Sequence, residues 1–174
     1  MLLTHEAQPT YQGFWMAVQG TYAVLALKNL PYSEAVSRFT AIVDQYTTDD
    51  VHLLFPLGGL NSTGKRGLID ALAGQTLGTS GNGGEHQVSS SPLVKRVSAS
   101  SITLSLNDIA YVRGRDNTGS VFLGRKTFTF TRTRRPNRGE QLLISDLILE
   151  VRSFFPQPGG LPTWLLLQQP STEQ

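Results

Sequence analysis

Apolar residues recur at helical spacing in the first part of the chain. Between residues 11 and 27 they return every three or four positions, which predicts a first helix. Residues 1–10 lack this pattern and are expected to form an N-terminal tail. Pro31 should end the first helix, because proline disfavours helical geometry in the residue before it. Ser33 is then expected to cap a second helix that runs to Val43.

A short strand and a third helix are predicted next. Residues 51–59, VHLLFPLGG, form an apolar run that Pro and Gly interrupt, which indicates a buried strand. Residues 62–74, STGKRGLIDALAG, have the pattern of a turn followed by a short helix.

The second half of the chain changes to strand-like segments separated by turn residues. The four segments span residues 86–97, 101–114, 120–133 and 140–155. Consecutive strands with short connections form an antiparallel meander. Helices followed by strands are typical of an α+β fold, in which the helices pack on one face of a curved sheet.

The segment GRKTFTFTRTRR, residues 124–135, alternates polar and apolar side chains. In a strand, Arg125 and all four Thr share one face, whereas Lys126, two Phe and Arg132 share the other. A buried hydroxyl needs a hydrogen-bond partner, so we expect the threonine face to line a hydrated or ligand-filled cavity. Arg125 would there present a cation to a substrate oxygen. Alternatively, it pairs with Asp108 or Glu150 across the sheet.

Composition fits one globular domain and excludes some site types. The chain has 174 residues, of which 39% are hydrophobic and 16% charged, and it contains no Cys. Disulfides and thiolate zinc sites are therefore excluded. His5, His52 and His86 are scattered without a carboxylate cluster, so we expect no metal.

The charge distribution bears on possible partners. The net charge is only +2, and eight of the fifteen basic residues lie between Arg113 and Arg138. A strand followed by a solvated turn explains this cluster better than a nucleic-acid arm. No apolar run approaches the roughly 18 residues of a membrane helix, and the first residues lack a signal-peptide pattern. We therefore expect a cytoplasmic protein without a nucleic-acid or membrane partner.

The C-terminal extension, residues 156–174, combines a Pro- and Gly-rich start with the apolar run TWLLL. Burying one Trp and three Leu is worth several kcal/mol at roughly 25 cal/mol per Å². We expect Leu161–Leu167 to fold back over the mouth of the domain, as a lid, or onto a partner chain.

Several motifs, in this order, resemble the nuclear-transport-factor-2-like superfamily, in particular its SnoaL-like branch. GKRGLIDAL matches the start of a helix in those domains, and HQVSSSPLV is similar to their first long strand. GRKTFTFTRT followed by LLISDLILEV is similar to their closing hairpin. The resemblance implies that residues 11–155 form a cone-shaped curved antiparallel sheet packed against N-terminal helices. It further implies an apolar pocket and a homodimer.

The resemblance also implies a class of chemistry and some site residues. Known activities include ketosteroid isomerase, polyketide cyclase, epoxide hydrolase and scytalone dehydratase, mostly without a cofactor. By similarity to the dehydratase, His86 matches a catalytic histidine in position. Arg125 and Thr127 fall where that enzyme places pocket residues, and Ser145 and Leu147 fall on the pocket side of the last strand.

Other candidates come from position alone. Tyr111 shares a strand face with Asn107 and either donates a hydrogen bond to a substrate or belongs to the core. Trp15 and Tyr22 lie on one side of the first helix, where they either wall a pocket or fill the core. Thr129 completes the predicted substrate-binding set. The sequence does not decide which face of the 101–114 strand is concave.

The chain also departs from those relatives. The dehydratase and the isomerase carry an acidic residue on an early helix, whereas residues 11–29 hold no Asp or Glu. A cyclisation controlled by pocket shape therefore fits better than proton abstraction from carbon. The hydrolase set would need Asp108, Arg125 and Asp146, and alternation points Asp146 away from Ser145 and from the pocket.

These observations favour a cofactor-independent isomerase, cyclase or dehydratase acting on a hydrophobic oxygenated metabolite, in polyketide- or terpenoid-type natural-product biosynthesis. His86 would shuttle the proton, and Arg125 and Tyr111 would polarise a carbonyl or hydroxyl group. The main alternative is a non-catalytic small-molecule-binding or dimerisation module of the same fold. A basic nucleic-acid adaptor is a third hypothesis.

Overall fold

Three helices and a seven-stranded sheet make up the structure, a computed structural model. It describes residues 4–28, 30–56, 59–78, 86–89, 93–113, 119–136 and 138–157. The helices are α1 (Thr4–Lys28), α2 (Tyr32–Tyr46) and α3 (Lys65–Gly78). The strands are β1 (Thr47–Phe55), β2 (Leu60–Thr63), β3 (His86–Ser89), β4 (Leu93–Val97), β5 (Ser101–Arg113), β6 (Gly119–Arg135) and β7 (Gly139–Gln157). The predicted α+β class is confirmed.

The sheet is mixed rather than purely antiparallel. Its strand order is β2-β1-β7-β6-β5-β3, and β4 pairs with β5. The predicted meander is present, since β5, β6 and β7 pair antiparallel in succession. However, β1 pairs parallel to β7. A meander prediction considers only consecutive strands, and this contact joins strands far apart in the chain.

Helix α1 begins at Thr4, within the region predicted to be a tail. Ala7 is fully buried, and the Thr10 hydroxyl donates a hydrogen bond of 2.9 Å to the Leu142 carbonyl. Glu6 forms an ion pair with Arg132 on β6. Long-range contacts therefore extend the helix over residues whose local pattern is too polar to reveal it.

Helix α2 differs from the prediction at both ends. Its N-cap is Pro31, which makes no side-chain capping bond, and Ser33 lies inside the helix. The helix continues to Tyr46, and β1 follows directly at Thr47. The predicted apolar side is confirmed, because Phe39 and Val43 are fully buried.

The start of α3 is held to the preceding elements by one lysine. Lys65 Nζ lies 3.0 Å from Asp44 Oδ1 near the end of α2 and 2.7 Å from Asp49 Oδ1 on β1. This ion-pair cluster places the predicted helix start, GKRGLIDAL, beside the first strand.

The hydrophobic core lies between the helices and one face of the sheet, here called the inner face; the opposite face is the outer face. Core residues of the three long strands are Ile102, Leu104, Leu106, Phe128, Phe130, Leu142, Ile144 and Leu147. Tyr11 and Phe14 of α1 meet the Phe128 ring edge to face, with centroid distances of 5.2 and 6.5 Å. Helix α1 therefore covers the middle of the inner face.

Two irregularities in β7 change which side chains reach the inner face. Pairing with β6 shifts between Thr129 and Phe130, and again between Leu123 and Gly124. At the second shift the strands approach closely, because a Cβ built on Gly124 would lie 2.4 Å from the Glu150 carbonyl oxygen. Simple alternation along β7 therefore fails across residues 145–146.

Candidate functional site

A buried ion pair stands on the inner face. Lys126 Nζ lies 3.0 Å from Asp108 Oδ2, and the two side chains are only 7% and 8% exposed. Lys126 continues the inner-face row of Phe128 and Phe130 on β6, and Asp108 continues the row of Leu106 on β5. The pair thus occupies two positions that the alternation would assign to apolar residues.

Helix α1 adds an aromatic ring to this pair. Lys126 Nζ lies 3.6 Å from the centroid of the Trp15 ring. A cation at this distance from an aromatic face is attracted by the ring quadrupole. Trp15, predicted as a possible pocket wall, is partly buried against the core. Lys126, Asp108 and Trp15 form the candidate site, which we call the inner-face triad.

Tyr22, the second predicted wall residue, is used by the fold. Its hydroxyl donates a 2.9 Å hydrogen bond to the Leu72 carbonyl of α3. Its ring packs 5.1 Å from that of Phe39. Leu147 is also buried in the core on the inner face, as its predicted side of the strand requires. A substrate-binding role for either residue stays a prediction.

The threonine face of β6 is the outer face, so its expected position beside the pocket is wrong. Arg125, Thr127 and Thr129 alternate with the buried inner-face residues of β6. Asn107 is the register partner of Arg125 and is exposed on the same face. These four predicted site residues therefore point away from the helices.

The reason is that the hydroxyls find partners across the strands. Thr129 Oγ1 lies 3.3 Å from Thr103 Oγ1, and Thr127 Oγ1 lies 3.5 Å from Ser105 Oγ. Thr131 donates a 2.8 Å bond to Ser145. The need for hydrogen-bond partners, which suggested a cavity, is met on the half-exposed surface.

Ser145 belongs to this outer hydroxyl network, so its predicted pocket position is also wrong. Its hydroxyl donates to the Thr129 carbonyl at 3.2 Å. The register shift next to it lets Leu147 remain on the inner face while Ser145 does not. Asp146 lies on the outer face as well, in register with Thr129, whereas alternation predicted that it points opposite to Ser145.

His86 and Tyr111 can be placed only by backbone register. They are direct Cα partners on β3 and β5, and Tyr111 is in turn the partner of Val121 on β6. Their side chains lie outside the described residues. The register places the two predicted catalytic residues next to each other.

The two alternatives for Arg125 are also resolved in part. Asp108 pairs with Lys126, and Glu150 is the register partner of Arg125 on β7. The guanidinium group of Arg135, near the end of β6, has a structural role. Arg135 donates to the Gln45 and Thr47 carbonyls at 3.2 and 2.9 Å.

A second polar cluster lies on the outer face around His52. Its Nδ1 is 2.6 Å from Asp146 Oδ1, and its Nε2 is 2.9 Å from Asn61 Oδ1. Hydrogen bonds to Asn61 and to Asp146 raise the pKa of His52 above its ordinary value. Both ring nitrogens face oxygen acceptors, which the doubly protonated imidazolium satisfies best. The cluster joins β1, β2 and β7, which agrees with the structural role expected of His52.

Neither a metal cluster nor a membrane helix is found in the part of the chain that the structure describes. No three His, Asp or Glu side chains there come together as metal ligands. No described helix is both long and apolar enough to span a bilayer.

The sequence places Lys126 on the phenylalanine face of its strand but does not give its partner, because the pairing of β5 with β6 depends on register. A usable signal is present. Between residues 102 and 112 of β5, and between residues 122 and 130 of β6, the apolar row carries one charged residue, of opposite sign on the two strands. Two opposite charges at apolar positions of adjacent strands predict a buried pair, once the pairing register is known.

Comparisons with known proteins support the fold. No family model and no curated protein sequence matches the chain. Hexachlorocyclohexane dehydrochlorinase LinA-type3 from Novosphingobium barchaimii is similar in structure, with a TM-score of 0.62 and 14% identity, over 90% of this chain and 94% of that one.

Two further solved structures show the range of proteins with this architecture. One is a protein from Novosphingobium aromaticivorans that is assigned as a scytalone dehydratase. It matches with a TM-score of 0.55 and 14% identity, over 85% of this chain and 90% of that one. The CaMKII hub homology domain from Chlamydomonas reinhardtii matches with a TM-score of 0.54 and 11% identity, over 87% and 99%. The neighbours thus include enzymes and a hub domain.

Identities this low establish the architecture and leave the activity open. Helix order, sheet topology and nearly full coverage agree with the fold that the sequence resemblance implies. The chain shares the α+β fold of these neighbours, in which helices pack on one face of the sheet.

Proposed function

We propose that the protein is a cofactor-independent enzyme that moves a proton on a hydrophobic, oxygenated small molecule. The ligand would bind between the inner face and α1. The observation that carries this proposal is the buried pair of Lys126 and Asp108 beside Trp15. The apolar pocket that such a ligand requires is part of the proposal.

A buried ion pair is an expensive way to hold strands together. Desolvation costs several kcal/mol per ion, and apolar replacements of such pairs often leave a protein equally stable. A buried ion pair is therefore weak evidence for a purely stabilising role. The position of the pair among core residues therefore supports chemistry over packing.

The roles follow from charge. The Asp108 carboxylate would accept a proton from a carbon beside a carbonyl group. The Lys126 ammonium would stabilise the negative charge that develops on the carbonyl oxygen. Returning the proton to another carbon gives an isomerisation. Delivering it to a hydroxyl group, which then leaves as water, gives a dehydration. Asp108 would thus supply the carboxylate base that residues 11–29 lack, so proton abstraction joins cyclisation as a proposed reaction.

His86 and Tyr111, predicted as a proton shuttle and a hydrogen-bond donor, are given no role at the inner face. Tyr111 is in register with Val121 of the outer-face row, and His86 is in register with Tyr111. The setting is proposed to be cytoplasmic natural-product biosynthesis, with a polyketide- or terpenoid-derived substrate. Arg125 has no role in the proposed chemistry, because it lies on the outer face.

Exchange of carbon-bound hydrogen tests the proton-transfer step without knowledge of the natural substrate. The probe is 2-tetralone, a hydrophobic ketone, incubated in D₂O and followed by mass spectrometry for deuterium uptake. The native protein should exceed the protein-free rate, and Asp108→Asn should lose at least about 100-fold, the usual contribution of a general base. Arg125→Met is the matched control and should stay within about twofold of the native rate.

Two results would count against the enzyme. A deuterium-exchange rate no faster than that without protein would contradict proton transfer by the protein. Equal losses of exchange rate in Lys126→Met and Arg125→Met would contradict a site on the inner face. If 2-tetralone binds and loses affinity in Lys126→Met without exchange, the alternative holds, namely a small-molecule-binding module of the same fold.

A homodimer is proposed to form through the hydroxyl-bearing part of the outer face. This region presents half-exposed residues such as Thr103, Thr127 and Thr129, and the helices pack on the other side of the sheet. Light scattering should give twice the chain mass, and Thr129→Lys should restore the monomer. A monomeric native protein would contradict this part of the proposal.

A further inference from the structure

The outer face divides into a polar part and an apolar end. Hydroxyl residues occupy the part beside β4, and the row Asn107–Arg125–Glu150 crosses the three long strands. Beyond this row the outer face carries four apolar residues, with Ser153 of β7 beside Leu123. The four are the half-buried Ile109 on β5 and Val121 and Leu123 on β6, and the exposed Phe155 on β7, here called the end patch.

Phe155 is the most exposed member of the end patch. Its side chain is 48% exposed, and its register partner is Val121. Leu123 is the partner of Ile109 on the other side. The four residues thus form a continuous apolar surface across three strands. Contiguous exposed apolar surface marks a contact site more often than isolated residues do.

The position of the chain after β7 identifies an occupant. The strand ends at Gln157, two residues past Phe155 and opposite Gly119. Residues 158–160 are Pro-Gly-Gly, a sequence that allows the chain to reverse. The apolar segment Leu161–Leu167 follows at once. Four extended residues span about 13 Å, so this segment starts within reach of Phe155 and Val121, and its later residues can reach Leu123 and Ile109.

We propose that the segment Leu161–Leu167 of the same chain packs on the end patch, with Trp164 against Phe155. The segment would cover the exposed apolar residues of the sheet and remove its own Trp and Leu side chains from water. It would thereby act as a strap on the outer face, and not as a lid over the inner face.

The length of chain after Gln157 limits which apolar surfaces the segment can contact. Leu93 on β4 is 62% exposed and faces outward beside Ser105. The next outer-face pair along these strands is Thr103 with Thr129. Thr129 is ten residues from Gly119 on β6, which is about 33 Å at 3.3 Å per residue. Eight extended residues from Gln157 to Leu165 span only about 28 Å. Leu165 can therefore reach the end patch and cannot reach the level of Thr103.

Engineered disulfides test this placement directly, because the chain has no native Cys. The full-length double variant Leu123→Cys/Leu165→Cys should oxidise to a monomer with an internal crosslink, seen by mass and gel mobility. Thr103→Cys/Leu165→Cys is the matched control on the same face and should not form an internal crosslink. Equal crosslinking of both pairs, no crosslinking of the first, or a covalent dimer of the first would overturn the proposal.

Tryptophan fluorescence gives an independent readout. In a Trp15→Phe background, Trp164 is the remaining tryptophan, and acrylamide should quench it at least about threefold less than the free peptide 158–174. Phe155→Ser should raise quenching toward the peptide value, whereas Leu93→Ser, an equally drastic change elsewhere on the outer face, should not. Quenching equal to that of the peptide, or equal effects of the two Ser variants, would contradict the strap.

Discussion

Lys126 and Arg125 are neighbours in sequence and have different surroundings. Lys126 is 5% exposed on the inner face, in contact with Asp108 and Trp15. Arg125 is half-buried on the outer face among hydroxyl residues. One step along a strand reverses the side of the sheet, so two similar charges acquire different chemistry.

Removing one member of the buried pair should be costly. We expect Lys126→Met or Asp108→Leu alone to lower the free energy of unfolding by about 3–5 kcal/mol, because each removes the ion-pair partner of a buried charge. The double variant should recover most of this loss, since it leaves no charge. Urea unfolding of the four proteins measures the effect. Additive losses in the double variant would show that the two charges do not interact.

His52 predicts a pH dependence of stability. Its pKa in the folded protein is raised, so its contribution is complete below the unfolded pKa of about 6.5. The contribution is lost as the pH rises through the higher folded pKa. The stability difference between the native protein and His52→Asn should therefore shrink as the pH rises above about 6.5. Urea midpoints measured across this range check the sign, and a difference that grows with pH would contradict it.

The residue pattern alone could identify both faces of β6 but could not assign them. Thr and Phe alternate perfectly, and either face is chemically able to line a cavity. The hydroxyl argument chose the wrong face because it did not count partners on neighbouring strands, such as Thr103 for Thr129. Those partners depend on pairing register, which is a property of the assembled sheet.

At the scale of elements, local periodicity predicted the helices and the long strands well where they bury a clear stripe. It failed at the N-terminus, where α1 is extended by contacts with Arg132 and Leu142. It also missed the short strand β2 and the parallel pairing of β1 with β7. In each case a distant partner supplies the stabilising interaction.

Deletion of the first turns of α1 tests whether they belong to the domain. Removing residues 1–10 eliminates the buried Ala7, the Thr10–Leu142 hydrogen bond and the Glu6–Arg132 ion pair. Allowing about 1 kcal/mol for the hydrogen bond and a similar amount for the burial, we expect a loss of roughly 2 kcal/mol in urea unfolding. Removing residues 1–3 is the control and should be neutral. Equal stability of the two truncations would support a dispensable tail.

For the whole molecule, the fold could be predicted from the order of the elements, whereas the candidate site could not. The order of helices and strands was enough to indicate the superfamily fold. The candidate site was not predictable in the same way, because it depends on which face of the sheet α1 covers. That choice is made by aromatic packing between α1 and Phe128. The account therefore depends on ligand binding at the inner face.

Two side-chain N–H groups report on the two faces in one nitrogen-15 correlation spectrum. Trp15 Nε1–H belongs to the inner-face triad, and Arg125 Nε–H lies on the outer face; substitution of each assigns its signal. Titration with 2-tetralone should shift the Trp15 signal, leave that of Arg125 unchanged, and lose its effect in Lys126→Met. A shift of the Arg125 signal with the Trp15 signal unmoved would place the ligand on the outer face and contradict the account.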